Sequence, residues 1–192
     1  LVALRQEEAK TGEPDENGFV RPGVEARQHA AMALSMLEKV QRTMPNEGYG
    51  LAANVYQWLG QHDEALATLE RGIRADPNAS ELHDRYQDIY VEMGQTRALA
   101  SAYRRFVREN PGQTILLWHQ GRALVRMADD LRSKSSYASA QQAYGQARDC
   151  FATYVEAVPL HRNSANWWLA FCDLSMARMA SQSGDVDTAK QR

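Results

Sequence analysis

Apolar residues recur at three- and four-residue steps along most of this chain, the spacing of a helix face rather than of a strand. Between Val24 and about Thr43 the repeating positions are Ala30, Ala33, Leu34, Leu37 and Val40, and Pro45 ends the run. From Tyr49 to Pro77 the pattern reads as two amphipathic helices, broken at Leu59–Ala65 and stopped by Pro77. The same layout returns 34 residues on: Tyr56 recurs as Tyr90, Gly60 as Gly94 and Pro77 as Pro111. Helices are therefore expected near 46–59, 63–76, 80–93 and 96–109. A third pair begins near Thr114, with Leu117, Gly121 and Leu124, and closes on Ala147, Phe151, Tyr154 and Pro159. Pro159 lies 48 residues after Pro111, and the surplus around 127–141 holds neither Gly nor Pro. Both helices of that pair are accordingly predicted to be long. A fourth pair starts near Arg162 with the stripe Ala165, Trp168, Leu169, Cys172, Met176 and Met179.

A fixed period of about 34 residues, with helix pairs punctuated in this way, resembles the tetratricopeptide repeat. In the clearest copy Tyr49 takes the aromatic slot, Ala52 the leucine slot, Ala53 the small slot and Tyr56 the tyrosine slot. Ala65, Leu69, Gly72 and Pro77 follow in the second helix. Small residues at Ala53 and Ala65 allow two helix backbones to approach, and Gly60 suits a left-handed helix stop. Leu99 and Phe106 replace small residues in the next copy, which predicts looser or differently angled packing there. The resemblance implies an all-α solenoid of antiparallel helix pairs, wound as a right-handed superhelix. Residues 1–23 then form an acidic linker or irregular segment, and 24–192 the repeat domain. That domain comprises a cap helix (24–43) and repeats near 46–77, 80–111, 114–159 (extended) and 162–192 (truncated). The segment Gly184–Ala189 is similar to the Leu59–Ala65 turn, so the parent chain is expected to continue past Arg192.

Charge narrows the choice of partner. The 192 residues carry 22 basic and 24 acidic side chains, a net of −2 at pH 7. That balance leaves no electrostatic footprint for nucleic acid or an anionic membrane. No apolar run reaches the roughly 18 residues of a membrane span. Leu1 opens the chain with no recognisable signal peptide, which leaves the compartment open. Cys150 and Cys172 are too few for a disulfide framework and are read as buried free thiols.

Catalytic constellations are weak. His29, His62, His83, His119 and His161 are scattered, without paired metal-ligand spacing, so no metal or cofactor is expected. His83 falls in a core slot. Cys150 with His161 would need an orienting third group that the sequence does not supply. Of the adjacent tryptophans, Trp168 is expected in the core and Trp167 against a neighbouring helix. The glutamates and arginines of the second helices read as a solvated face.

In the tetratricopeptide family the first helices line a groove that holds an extended peptide or a partner helix. The resemblance therefore implies a non-catalytic interaction scaffold, with Asn54, Trp58, Glu81, Asp84, Asp88, Glu92, Trp118, Arg122 and Arg126 as groove candidates. The carboxylate-gripping subclass does not fit: Asn54 matches one of its slots, but Gly50, Arg85, Ile115 and His119 depart from the rest. Glu81, Asp84, Asp88 and Glu92 recur at steps of three, four and four and so share one helical face. By the period, Asp88 corresponds to Arg122 and Glu92 to Arg126, which predicts ion pairs between neighbouring first helices. Glu81 and Asp84, with Trp118, suit a basic, partly apolar segment of a partner or of the parent chain. Self-association is a further expectation of such a surface. Two rival readings stand: a regulatory or structural domain of a larger enzyme, and a small-molecule or glycan binder using the tryptophans.

Overall fold

The computed structural model describes residues 20 and 22–182. Among them the fold is all-α. The helices are α1 (Val24–Thr43), α2 (Pro45–Trp58), α3 (His62–Ala75), α4 (Ser80–Glu92), α5 (Thr96–Glu109), α6 (Ile115–Ser133), α7 (Tyr137–Ala157) and α8 (Arg162–Gln182). A short 3-10 turn, Pro159–His161, leads into α8. The chain divides into two compact units, one through Ile89 and one from Tyr90. Of the acidic segment 1–23, residues 1–19 and 21 lie outside the described residues, as does the Gly184–Ala189 turn.

Two kinds of junction recur. After α2, Gly60 donates its N–H to the Gln57 carbonyl and Gln61 to that of Tyr56 (both 2.9 Å). After α4, Gly94 donates to Val91 (2.9 Å) and Gln95 to Tyr90 (2.8 Å). After α6, Ser135 donates to Arg132 and Ser136 to Leu131 (both 2.9 Å). This is one and the same Schellman turn, which needs a left-handed residue at its centre. The φ values there are 73° at Gly60, 66° at Gly94 and 58° at Ser135. The other junction ends α1, α3, α5 and α7. Met44, Asp76, Asn110 and Val158 each leave the helix with φ between −131° and −138° and donate to the carbonyl four residues back. Each immediately precedes a proline (Pro45, Pro77, Pro111, Pro159). Proline pushes its predecessor out of the helical region by sterics, so these helices stop where they do for one local reason. α1 thus ends as the second helix of a pair does.

In the first unit, α1 packs on α2 and α2 on α3. Close approach depends on missing side chains. A β-carbon at Gly48 would lie 2.7 Å from the Gln41 backbone nitrogen of α1. At Gly72 it would lie 2.7 Å from Leu82 Cδ1 and 2.9 Å from Tyr49 Cγ, so α2, α3 and α4 meet there. Ala53, Ala65 and Leu69 are fully buried, and Asn46 donates to Asp76 (2.8 Å), tying the start of α2 to the end of α3. Of α1, only Ala30 is buried; Ala33, Leu34, Leu37 and Val40 are half-buried.

In the second unit, α5 packs on α6, α6 on α7 and α7 on α8. The core runs through Leu124, Ala128 and Leu131 of α6, Ala140, Tyr144, Ala147 and Phe151 of α7, and Cys172, Met176 and Met179 of α8. The surplus residues are helical, as expected, apart from the turn at Lys134–Ser136. They lengthen α6 and α7 to 19 and 21 residues, and α8 matches them at 21. Met127 packs against the same core. Leu99 and Phe106, whose bulk suggested looser packing, are fully buried, with the Phe106 ring edge-on to Tyr103 at 5.6 Å.

Candidate functional site

The acidic candidates Glu81, Asp84 and Asp88 project from α4 within the first unit. Glu81 and Asp88 are exposed and Asp84 is half-buried. On the same helix Arg85 donates to the Asn54 side-chain carbonyl on α2. This contact joins the first helices of two successive pairs. It engages Asn54, the one match to the carboxylate-gripping pattern, and sets a cation beside the acidic residues. Trp58 is half-buried at the end of α2. Asp84 and Asp88 also have polar or electrostatic contacts of their own.

Glu92, Trp118, Arg122 and Arg126 belong to the second unit. Glu92 is exposed and the two arginines are half-buried, and all three are engaged in further polar or electrostatic contacts. Trp118 is drawn into an aromatic cluster. Its ring meets Phe151 edge-on at 5.4 Å, Tyr154 at 5.3 Å and Trp168 edge-on at 6.4 Å. The Trp118 indole therefore packs on α7 and α8 of its own unit. Phe151 in turn stacks on Trp168 (5.3 Å, 19° between planes). Trp168, expected in the core, is half-buried and packs against the core from its edge. Trp167 departs from expectation: it is 60% exposed, stacked on Phe171 of its own helix at 5.6 Å, rather than set against a neighbouring helix. Two adjacent helical residues point about 100° apart, so only one of the pair can face α7.

Polar groups in the second unit are held in local networks. Tyr144 donates its hydroxyl to Asp129 (2.7 Å), which also accepts from Arg132 (3.1 Å). Burial pushes the Tyr144 phenol up to about 12, with Asp129 adding to the shift. Asp130 accepts from Lys134 (2.9 Å) and Thr96 (3.1 Å), and the Lys134 hydrogen bond leads in holding its carboxyl below the usual range. Arg148 donates to Asp173 (2.8 Å), linking α7 to α8.

Neither cysteine has the environment of a nucleophile. Burial, with Asp149 nearby, pushes the Cys150 thiol up to about 11. Burial likewise raises Cys172 to about 12. The thiolate is the reactive form, and both sites disfavour it. His161 Nδ1 sits 2.5 Å from the Tyr154 hydroxyl, so that nitrogen is already engaged. His83 is buried, with Nε2 3.0 Å from the Pro77 carbonyl oxygen. Among the described residues no group of His, Cys, Asp and Glu has a metal-holding arrangement, and no helix is long and apolar enough to cross a membrane.

No family model matches the chain, and no curated protein matches it.

The arginines of the second helices, expected from the sequence on a solvated face, include Arg97, Arg104 and Arg108, which are exposed along α5. That helix, TRALASAYRRFVRE, carries four arginines against one glutamate.

Proposed function

We propose that the chain is a tetratricopeptide-type helical repeat that works as a protein-interaction module, holding a basic, extended segment of a partner on the acidic face of α4. The observation that carries the reading is the recurrence of the two junctions described above. The same Schellman turn follows α2, α4 and α6, and the same pre-proline stop ends α1, α3, α5 and α7. A chain built from one repeated helix pair presents equivalent positions at regular intervals, which suits recognition of an extended polypeptide.

Specificity comes from charge. Glu81, Asp84 and Asp88 recur along one side of α4 over about 10 Å, at roughly 1.5 Å of rise per residue. Asp84 and Asp88, about 6 Å apart along the axis, come near the spacing of Lys or Arg at alternate positions of an extended peptide, which advances about 6.7 Å per pair of residues, and Glu81 extends the negative charge toward the start of the helix. The Arg85–Asn54 contact ties the acidic helix to α2, so the surface is held in place by its neighbour rather than presented on a loop. The proposal is tested by the affinity of a lysine-bearing peptide for the chain and for the Glu81→Lys, Asp84→Lys double variant.

A further inference from the structure

We infer that the exposed face of α5 is a docking surface for an acidic, extended segment of a partner protein, bound through Arg97, Arg104 and Arg108. The helix is unlike the others in its charge. It carries Arg97, Arg104, Arg105 and Arg108 against a single Glu109, whereas α3 balances Asp63, Glu64 and Glu70 with Arg71 and Arg74. Arg97, Arg104 and Arg108, with Ser101 between them, recur at steps of four, three and four and so form one line. All four residues are exposed.

Local structure does not account for this line. Arg104 and Arg108 stand one helical turn apart, an i,i+4 pair of like charges that weakens a helix. No residue three or four positions from any of the three arginines is acidic. Arg97 sits in the first turn, where the helix dipole disfavours a cation, and that turn holds no acidic residue. Its long-range pull on Asp130 is the least of the influences on that carboxyl, whose direct hydrogen bonds come from Lys134 and Thr96. Arg108 alone is favourably placed, in the last turn. An anionic ligand adds an attraction to each of these guanidinium groups and so offsets the repulsion.

Spacing defines the ligand. Arg104 and Arg108 are about 6 Å apart along the axis, and Arg97 and Arg108 about 16 Å, at roughly 1.5 Å per residue. Same-side carboxylates of an extended peptide repeat every 6.7 Å or so, so five or six residues with alternate Asp or Glu span the line. Guanidinium groups suit the task because each offers a planar fork to a carboxylate. A nucleic acid strand is disfavoured by the same face. The aromatic residues of α5, Tyr103 and Phe106, are fully buried, so no ring is offered for bases to stack on.

The experiment uses the full chain and a fluorescein-labelled octapeptide of alternating Glu and Ser, read by anisotropy at low and physiological salt. Alternating Lys–Ser octapeptide and labelled oligo-dT of equal length are the controls. The variants are Arg104→Glu with Arg108→Glu, and the milder Arg104→Gln with Arg108→Gln, each checked by circular dichroism. The inference expects the Glu–Ser peptide to bind more tightly than oligo-dT. It expects affinity to fall at least about tenfold in a folded variant, since charge-assisted hydrogen bonds are the strong ones. Three results overturn it: no binding of the Glu–Ser peptide, equal affinity in wild type and a folded variant, or tighter binding of oligo-dT. Binding of the Lys–Ser peptide at the acidic face of α4 is a separate event, and its presence or absence leaves this outcome unchanged.

Discussion

Gly121 on α6 faces the Phe151 ring on α7 so closely that a β-carbon at 121 would lie 2.7 Å from Phe151 Cζ. The ring has nowhere to retreat. It is fully buried, stacked on Trp168 and met edge-on by Trp118. A single hydrogen at residue 121 therefore sets how closely α6 and α7 approach, and with it the placement of the aromatic cluster. Gly121→Ala gains up to about 1 kcal/mol of helix propensity but overpacks this crossing, which typically costs about 1–3 kcal/mol. The net expectation is a destabilised chain, read as a lower urea midpoint at unchanged helical content. Ala65→Leu, at a fully buried position of α3, is expected to cost a similar amount.

Two of the Schellman turns predict effects of opposite sign for opposite substitutions. Ser135 adopts φ 58° without being glycine, a conformation that costs an L-residue about 1–2 kcal/mol. Ser135→Gly relieves that cost and loses part of it to the greater entropy of glycine in the unfolded chain, leaving a gain of about 0.5–1 kcal/mol. At Gly94, with φ 66°, a β-carbon would meet nothing within 4 Å. Gly94→Ala is then destabilising by about 1 kcal/mol through backbone conformation alone. Thermal melting of the two variants beside wild type checks both signs.

How far the fold could be read from residues follows from the same turns. Gly60, Gly94 and the four prolines that follow the ends of α1, α3, α5 and α7 are residues whose backbone restrictions act locally, so the helix ends are visible in the sequence. The turn at Lys134–Ser136 was hidden because Ser135 fills the position that glycine holds elsewhere, and the length surplus pointed only to longer helices. Packing between helices is less legible. Trp118 occupies a groove slot by count, yet Phe151, Tyr154 and Trp168 surround it, and those contacts depend on chain 33 to 50 residues away. The Arg85–Asn54 contact was likewise invisible, because it depends on how α4 lies on α2.

Alkaline pH is expected to weaken the fold through its buried thiols and phenol. Cys150, Cys172 and Tyr144 are raised to about 11, 12 and 12 in the folded chain, from ordinary values of 9.0, 9.0 and 10.0. The folded state keeps protons that the unfolded chain releases, so stability is full below about pH 9 and falls as pH climbs toward 12. Urea midpoints followed by tryptophan fluorescence under reducing conditions are expected to drop between pH 8 and pH 10. Tyr144→Phe, which also loses its hydrogen bond to Asp129, is expected to be less stable at pH 8 and to show a shallower decline. The same raised thiols predict slow labelling by iodoacetamide in the native state and fast labelling in urea.

The most direct test of the interaction-module reading is the affinity of a labelled, alternating Lys–Ser octapeptide for the full chain at two salt concentrations. Binding at low salt that weakens at physiological ionic strength is the expected result, because exposed charges are screened over about 8–10 Å. The Glu81→Lys, Asp84→Lys variant, with an unchanged circular dichroism spectrum, is expected to lose most of that affinity. Equal affinity in the folded double variant, or no measurable binding to wild type at low salt, would contradict the assignment of α4 as a face that holds a basic segment.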